Sequence, residues 1–204
     1  QLDLPAVVGF FAMIAVFALF ICTAMIYTCL KFLQEWHSPL TVLNFVLMGC
    51  ASGFVMASAI AAYFDPQIFG YISKAAIVLS VAALVSRYAS LVRNKNLRSP
   101  STLQTAIGIH HPNIRQIAQG AMGGSYNTRA FIHTYGPSVV QFARRFFLIA
   151  GFIVPVLLLA FSSEASVVIC ALAFLIQYAG LLAERWYFFI EAKHPQNLYY
   201  QMIS

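Results

Sequence analysis

Between Ala6 and Leu30 the chain reads "AVVGFFAMIAVFALFICTAMIYTCL", without one Asp, Glu, Lys or Arg. About 20 residues of helix cross the hydrocarbon of a bilayer, so this stretch alone predicts a membrane span. Four further apolar runs follow, at Leu40–Phe64, Phe69–Val92, Phe142–Ser162 and Ala165–Phe189. Their continuity excludes an outer-membrane barrel, whose strands alternate over about ten residues. Composition agrees: the 204 residues are 61% hydrophobic and 9% charged, against about 25% charged in an ordinary soluble domain. The expected fold is an all-α integral membrane protein, a transmembrane helix bundle with these five spans, forming a single anchor domain over residues 1–204. Gln1 stands where a Met would, and Leu2–Pro5 enters the first span with neither a basic region nor a cleavage site. No signal peptide is expected there, and earlier residues are expected to be missing.

The net charge of +6 is unevenly spread. When the loops are assigned alternately to two sides, one side collects Lys31, Arg93, Lys95, Arg98, Arg115, Arg129, Arg144, Arg145 and Lys193. The other carries Asp3, Asp65, Glu164 and Lys74. The positive-inside rule puts the basic side in the cytoplasm, together with the C-terminus and the long Arg93–Gln141 loop. The expected location is the bacterial cytoplasmic membrane, crossed several times. No nucleic-acid-binding module accompanies the basic residues.

The first two spans are joined by "KFLQEWHSPL", Lys31–Leu40, a short turn in which Pro39 opens the next helix. Trp36 and His37 are expected at headgroup level. "GCASG" sets Gly49 and Gly53 four apart on one helix face, a signature of close helix packing. "DPQIFG", Asp65–Gly70, is a turn with no room for a domain. The Arg93–Gln141 loop is different. Loops beyond about 15 residues are usually functional or disordered, and Ile107, Ile114, Ile117, Tyr126 and Phe131 argue for a docking surface. Short surface helices are expected at Ser101–Ala106 or Asn113–Gln119, and turns at Gly120, Gly123 and Gly124. No internal repeat supports an inverted-repeat transporter.

His37, His110, His111, His133 and His194 fall in loops or at interfaces, none mid-span where facing helices would ligate a haem. No haem is expected, and His110–His111 reads as a solvated loop feature. Cys22, Cys29, Cys50 and Cys170 lie within spans without a CxxC pair, so neither a disulfide nor a metal or iron–sulfur site is expected in this chain.

Charges inside a span mark function by default, since each costs at least about 2.5 kcal/mol at the bilayer centre. Arg87, Glu184 and Arg185 qualify. Snorkelling to the interface accounts well for Arg185. Glu184 is too short to reach as far, and Arg87 comes from the same depth on another helix, so an Arg87–Glu184 pair lining the mouth of a cavity competes with snorkelling. Asn44, Tyr88, Gln177 and Tyr178 add polar groups within apolar helices. Either each bonds a neighbouring helix, or Arg87, Tyr88, Gln177, Tyr178 and Glu184 together bind a quinone, which needs an apolar slot, one or two donors and a proton route. Trp186, Tyr187, Phe188, Phe189, Tyr199 and Tyr200 read as an interfacial aromatic belt. A transporter or channel is the competing class, but it expects polar groups or broken helices at the midplane, whereas here they cluster towards one face. A purely structural anchor is the third reading.

Three stretches carry a resemblance: "MIYTCLKFLQEWHSPLTVLNFVLMGCASG" (Met25–Gly53), "QGAMGGSYNTRAFIH" (Gln119–His133) and "ERWYFFIEAKHPQNLYY" (Glu184–Tyr200). They resemble the membrane-anchor subunits of the DMSO reductase family (DmsC), over nearly the whole chain. The family has eight spans, so three would lie outside this chain. The resemblance implies a noncatalytic subunit that passes electrons between the quinone pool and a four-cluster ferredoxin-like iron–sulfur subunit, itself bound to a molybdopterin catalytic subunit. It fits both DMSO reductases and the sulfite-oxidising, quinone-reducing complexes with anchors of this type, and leans to the latter. Arg115, Arg129, His133, Arg185, Lys193 and His194, on the expected cytoplasmic side, are then candidates for partner docking.

Overall fold

The computed structural model describes residues 3–97, 101–115, 117–118, 135–162 and 165–194. Within them lie α1 (Leu4–Thr28), α2 (Pro39–Phe64), α3 (Pro66–Lys95), the short α4 (Leu103–Ile107), α5 (Pro137–Leu148), α6 (Val154–Phe161) and α7 (Val167–Glu191). One wide π-helical turn, Ile149–Ile153, joins α5 to α6, so Pro137–Phe161 forms one continuous span. Five helices are thus long and apolar enough to cross a membrane, and the described residues contain no strand. The protein is an all-α, multi-pass membrane bundle.

The spans begin where local chemistry starts helices. Pro occupies the first or second helical position of α1, α2, α3 and α5, where its missing N–H breaks no helical bond. Ser38 caps α2 by accepting from the Leu40 N–H, and Asp65 Oδ1 caps α3 by accepting from Gln67 and Ile68. Asp65 both ends α2 and starts α3, so these helices form a tight antiparallel hairpin. At its other end α3 finishes on Arg93 and Lys95, cations that suit the negative pole of the helix dipole. The loop between α3 and α5 contains α4 alone as described helix: its Thr102 capping box fits the expected Ser101–Ala106 turn, whereas the described part of Asn113–Gln119 is not helical.

In lipid, exposed apolar surface costs nothing, so burial here sorts residues by size and polarity. The outward faces carry groups such as Val78, Val85 and Leu175. The inward face of α3 is small and polar: Ser73, Ala76, Ser80, Ala83, Ser86, Arg87 and Ser90. It packs on α2, whose buried face carries Met48, Ala51, Val55, Ser58 and Ala62; small residues let two backbones approach and gain dispersion contact. α7 is central, touching α2, α5 and α6. Its Gly180 lies on the π turn at Gly151, and a Cβ on Gly180 would stand 2.6 Å from the Ala150 carbonyl carbon. Pro155 explains the wide turn: its ring displaces the carbonyl four residues back, that of Gly151, and a π turn relieves the clash.

α1 lies at the margin, packed against α2, with Ala24 its one buried residue. The GCASG expectation holds for one glycine. A Cβ at Gly49 would stand 2.8 Å from Phe20 Cε1, while Gly53 faces open space. Gly49→Ala should therefore weaken the seating of α1 by about 1 kcal/mol or more, and by less when Phe20 is already Ala. A double-mutant cycle on thermal unfolding in detergent measures this coupling.

Candidate functional site

Near the basic ends of α3 and α7 the bundle encloses four charges. Arg87 (2% exposed) points from α3 toward α7, where its Nε lies 2.7 Å from Glu184 Oε1 and its Nη2 3.3 Å from Glu191 Oε2. Glu184, wholly buried, also accepts from Arg185 Nε at 2.6 Å and contacts Arg185 Nη2. Arg87 Nε and Glu184 Oε1 meet at an angle poor for a hydrogen bond; at 2.7 Å their attraction is nevertheless that of a close ion pair. Two guanidinium groups and two carboxylates sum to zero. A lone buried charge is costly, and this neutral, mutually paired set is the form in which charges persist inside a bundle.

Aromatic faces complete the enclosure. Arg87 stands 5.7 Å from the Phe147 centroid on α5 and 5.9 Å from that of Tyr187, and Arg185 lies 4.3 Å over Phe45 of α2 and 5.0 Å from Phe188. Glu184 and Arg185 are adjacent in sequence, positions that do not face each other on a helix. The Arg185 side chain meets its neighbour by curling back along the Phe45 ring.

The α1–α2 loop closes this end. Trp36 Nε1 donates to the Phe188 carbonyl at 3.0 Å, one of the last four carbonyls of α7 that lack a partner within their helix. Arg93 Nη2 donates to the Gln34 and His37 carbonyls at 3.0 and 3.3 Å. Trp36 is stacked on Phe188 with its ring centroid 5.3 Å away and is 8% exposed. This corrects the expected headgroup position of Trp36: its N–H finds an orphan helix carbonyl inside the protein. His37 is exposed and bonds the last carbonyl of α1, that of Thr28. The expected aromatic belt is also revised. Tyr187 and Phe188 are buried, Trp186 packs on Tyr135, Phe189 is partly exposed, and Tyr199 and Tyr200 lie outside the described residues.

Of the quinone candidates, the structure brings Arg87 and Glu184 together. Gln177 is buried two turns away, about 10 Å along the helix, where its Nε2 donates to Ser80 Oγ at 3.4 Å. Tyr88 and Tyr178 are 55% and 52% exposed on outward faces, so they do not join the cluster. Among the docking candidates, Arg115 and Lys193 are exposed, and His194 is half-buried with its ring 5.4 Å from Phe32. Burial lowers the His194 pKa from its ordinary value. Arg185 is engaged by Glu184 rather than turned outward, and Arg129 and His133 lie outside the described residues. Glu191 was missed, although it stands seven residues after Glu184 on the same face of α7 and its Oε2 meets Arg87. That spacing was the available signal.

A small polar cavity opens beside the cluster, lined by Glu35, Thr41, Asn44, Arg87, Ser90, Glu184 and Arg185, with the rings of Phe45 and Phe188. Its volume of about 10 Å³ suits one water molecule. Asn44 donates to Ser90 Oγ at 2.8 Å, leaving its own Oδ1 unpartnered.

The charged cluster, cavity and loop clasp belong to a chain with a clear relative among known proteins. Over its whole length it is 48% identical to a membrane-complex component of Allochromatium vinosum whose name makes it a subunit of sulfite dehydrogenase. The chain spans 63% of that protein's length. No protein-family model matches the chain, and no solved structure does. The match falls on the sulfite-oxidising branch of the expected resemblance; nothing in it names the DMSO reductase anchors.

Proposed function

We propose that this chain is the membrane subunit of a sulfite-oxidising complex and the place where that complex meets the quinone pool. The observation that carries this reading is the neutral four-charge cluster of Arg87, Glu184, Arg185 and Glu191, held near one end of otherwise apolar helices. A quinone needs a protonatable group, a hydrogen-bond donor and apolar walls open to lipid. Glu184 supplies the first, Arg185 the second, and Phe45 and Phe188 the third. Since the polar cavity holds one water and no ring, the headgroup docks at its mouth, where the Arg185 side chain is 29% exposed. Glu184 then takes or gives the proton while Arg87 and Arg185 hold its carboxylate in place. The name of the Allochromatium relative supports a sulfite-oxidising partner.

On this reading the electrons come from an iron–sulfur subunit that carries them from a molybdopterin subunit. Both dock on the basic side, which lies in the cytoplasm by the positive-inside rule, with Arg115 and Lys193 available to meet acidic partner groups. In the intact complex, Glu184→Gln is expected to preserve assembly and to lower quinone turnover by roughly 100-fold, the scale of a lost general acid–base group. A one-water cavity also suits a purely structural anchor, and unchanged turnover with sulfite as donor would establish that reading instead.

A further inference from the structure

The loop residue Glu35 has no part in the ion-pair cluster, yet it lines the cavity that Glu184 lines from the other side. The two residues flanking this carboxylate are fixed to different helices. Gln34 is held through its carbonyl by Arg93 of α3, and Trp36 through its indole by the Phe188 carbonyl of α7. Between them Glu35 is half-buried, at the boundary between loop and bundle. The cavity has room for one water, and the 4% exposed Asn44 turns an unpartnered carbonyl oxygen inside it. A polar, water-sized cavity with such an acceptor is the setting in which buried water is held. Toward the opposite membrane face, the next buried polar pair on α3 and α7, Ser80 and Gln177, lies about 10 Å away along the helices.

We propose that Glu35 is the proton entry to Glu184, through one water held by Asn44, so that protons for the quinone reaction are exchanged at the Arg-rich end of the bundle. This rests on the quinone reading above. For each quinone reduced by two electrons from the iron–sulfur partner, two protons pass in turn. Glu184 gives a proton to a quinone oxygen, regains one from the cavity water as Glu35 supplies that water, and Glu35 is reprotonated from solvent. Glu35 acts through Glu184, and touches no quinone. Arg87 and Arg185, the charges facing the cavity from α3 and α7, hold the Glu184 carboxylate at its inner end, and Glu191 stays on Arg87.

The test compares Glu35→Gln, Glu35→Asp and Glu184→Gln in the intact complex in liposomes, with sulfite as donor. Glu35→Gln should slow quinone turnover roughly tenfold or more with the quinone KM unchanged. A small permeant weak acid such as azide should restore the rate, and Glu35→Asp should retain most of it. Normal turnover in Glu35→Gln beside slow turnover in Glu184→Gln would overturn the relay and leave the quinone reading standing. A slow Glu35→Gln that no weak acid rescues would also overturn it, in favour of a structural loop contact. Normal turnover in Glu184→Gln would remove the quinone reading and the relay with it.

Discussion

Arg87→Met is expected to destabilise the bundle by about 3–5 kcal/mol, the usual consequence of removing one partner from a buried ion pair. The change takes a single cation from two carboxylates. Glu184 keeps Arg185, bonded at 2.6 Å, whereas Glu191 loses the guanidinium 3.3 Å away and retains Asn94 as a neutral hydrogen-bond partner. Most of the cost therefore falls on Glu191. Adding Glu191→Gln to Arg87→Met should recover about half of the loss by removing the stranded charge, a gain that simple additivity of two harmful changes forbids. Thermal unfolding of the four proteins of this cycle in detergent measures it. A double variant less stable than Arg87→Met alone would show that Glu191 is held by something other than Arg87.

Gly180→Ala is expected to do comparable harm for a different reason. The new methyl would stand 2.6 Å from the Ala150 carbonyl carbon and 2.5 Å from Gly151 Cα. Both are backbone atoms in a helix, unable to swing aside as the Phe20 ring can, so α7 and the π turn must separate. Overpacking of this kind costs about 1–3 kcal/mol, occasionally more, and here it also moves Phe147 away from Arg87. The same substitution at Gly151 should be harmless or slightly stabilising. Its Cβ would meet Gly180 at an ordinary 3.5 Å, and Ala is favoured over Gly within helices by up to about 1 kcal/mol. Opposite signs for the two changes, read as shifts in Tm, test whether this contact closes the bundle.

Much of the molecule was legible before any coordinate. The spans expected from apolar runs match the helices to within a few residues, and Pro39 and Pro66 mark the starts of α2 and α3. The Arg87–Glu184 pair was legible as one of two alternatives, because two charges at equal depth in lipid have few other ways to be satisfied. The roles of Tyr88, Tyr178 and Gln177 were less legible. All are polar groups in apolar helices, and composition alone does not say which side of a helix faces lipid when both sides are apolar. Arg185 was assigned to snorkelling because neighbours on a helix do not normally meet, and only the Phe45 ring on another helix explains how it turns back.

The sequence by itself determined that this chain crosses a membrane several times as helices, and which of its ends is basic. Those properties follow from local composition, since an uncharged apolar run has one low-energy form in lipid. Tertiary structure decided which polar groups meet. Glu184 and Glu191 share Arg87, Trp36 closes the end of α7, and Gly180 rests on Gly151 because of how far helices approach and rotate about their axes. Approach and rotation are set by contacts between residues distant in sequence, so no reading of one helix at a time contains them.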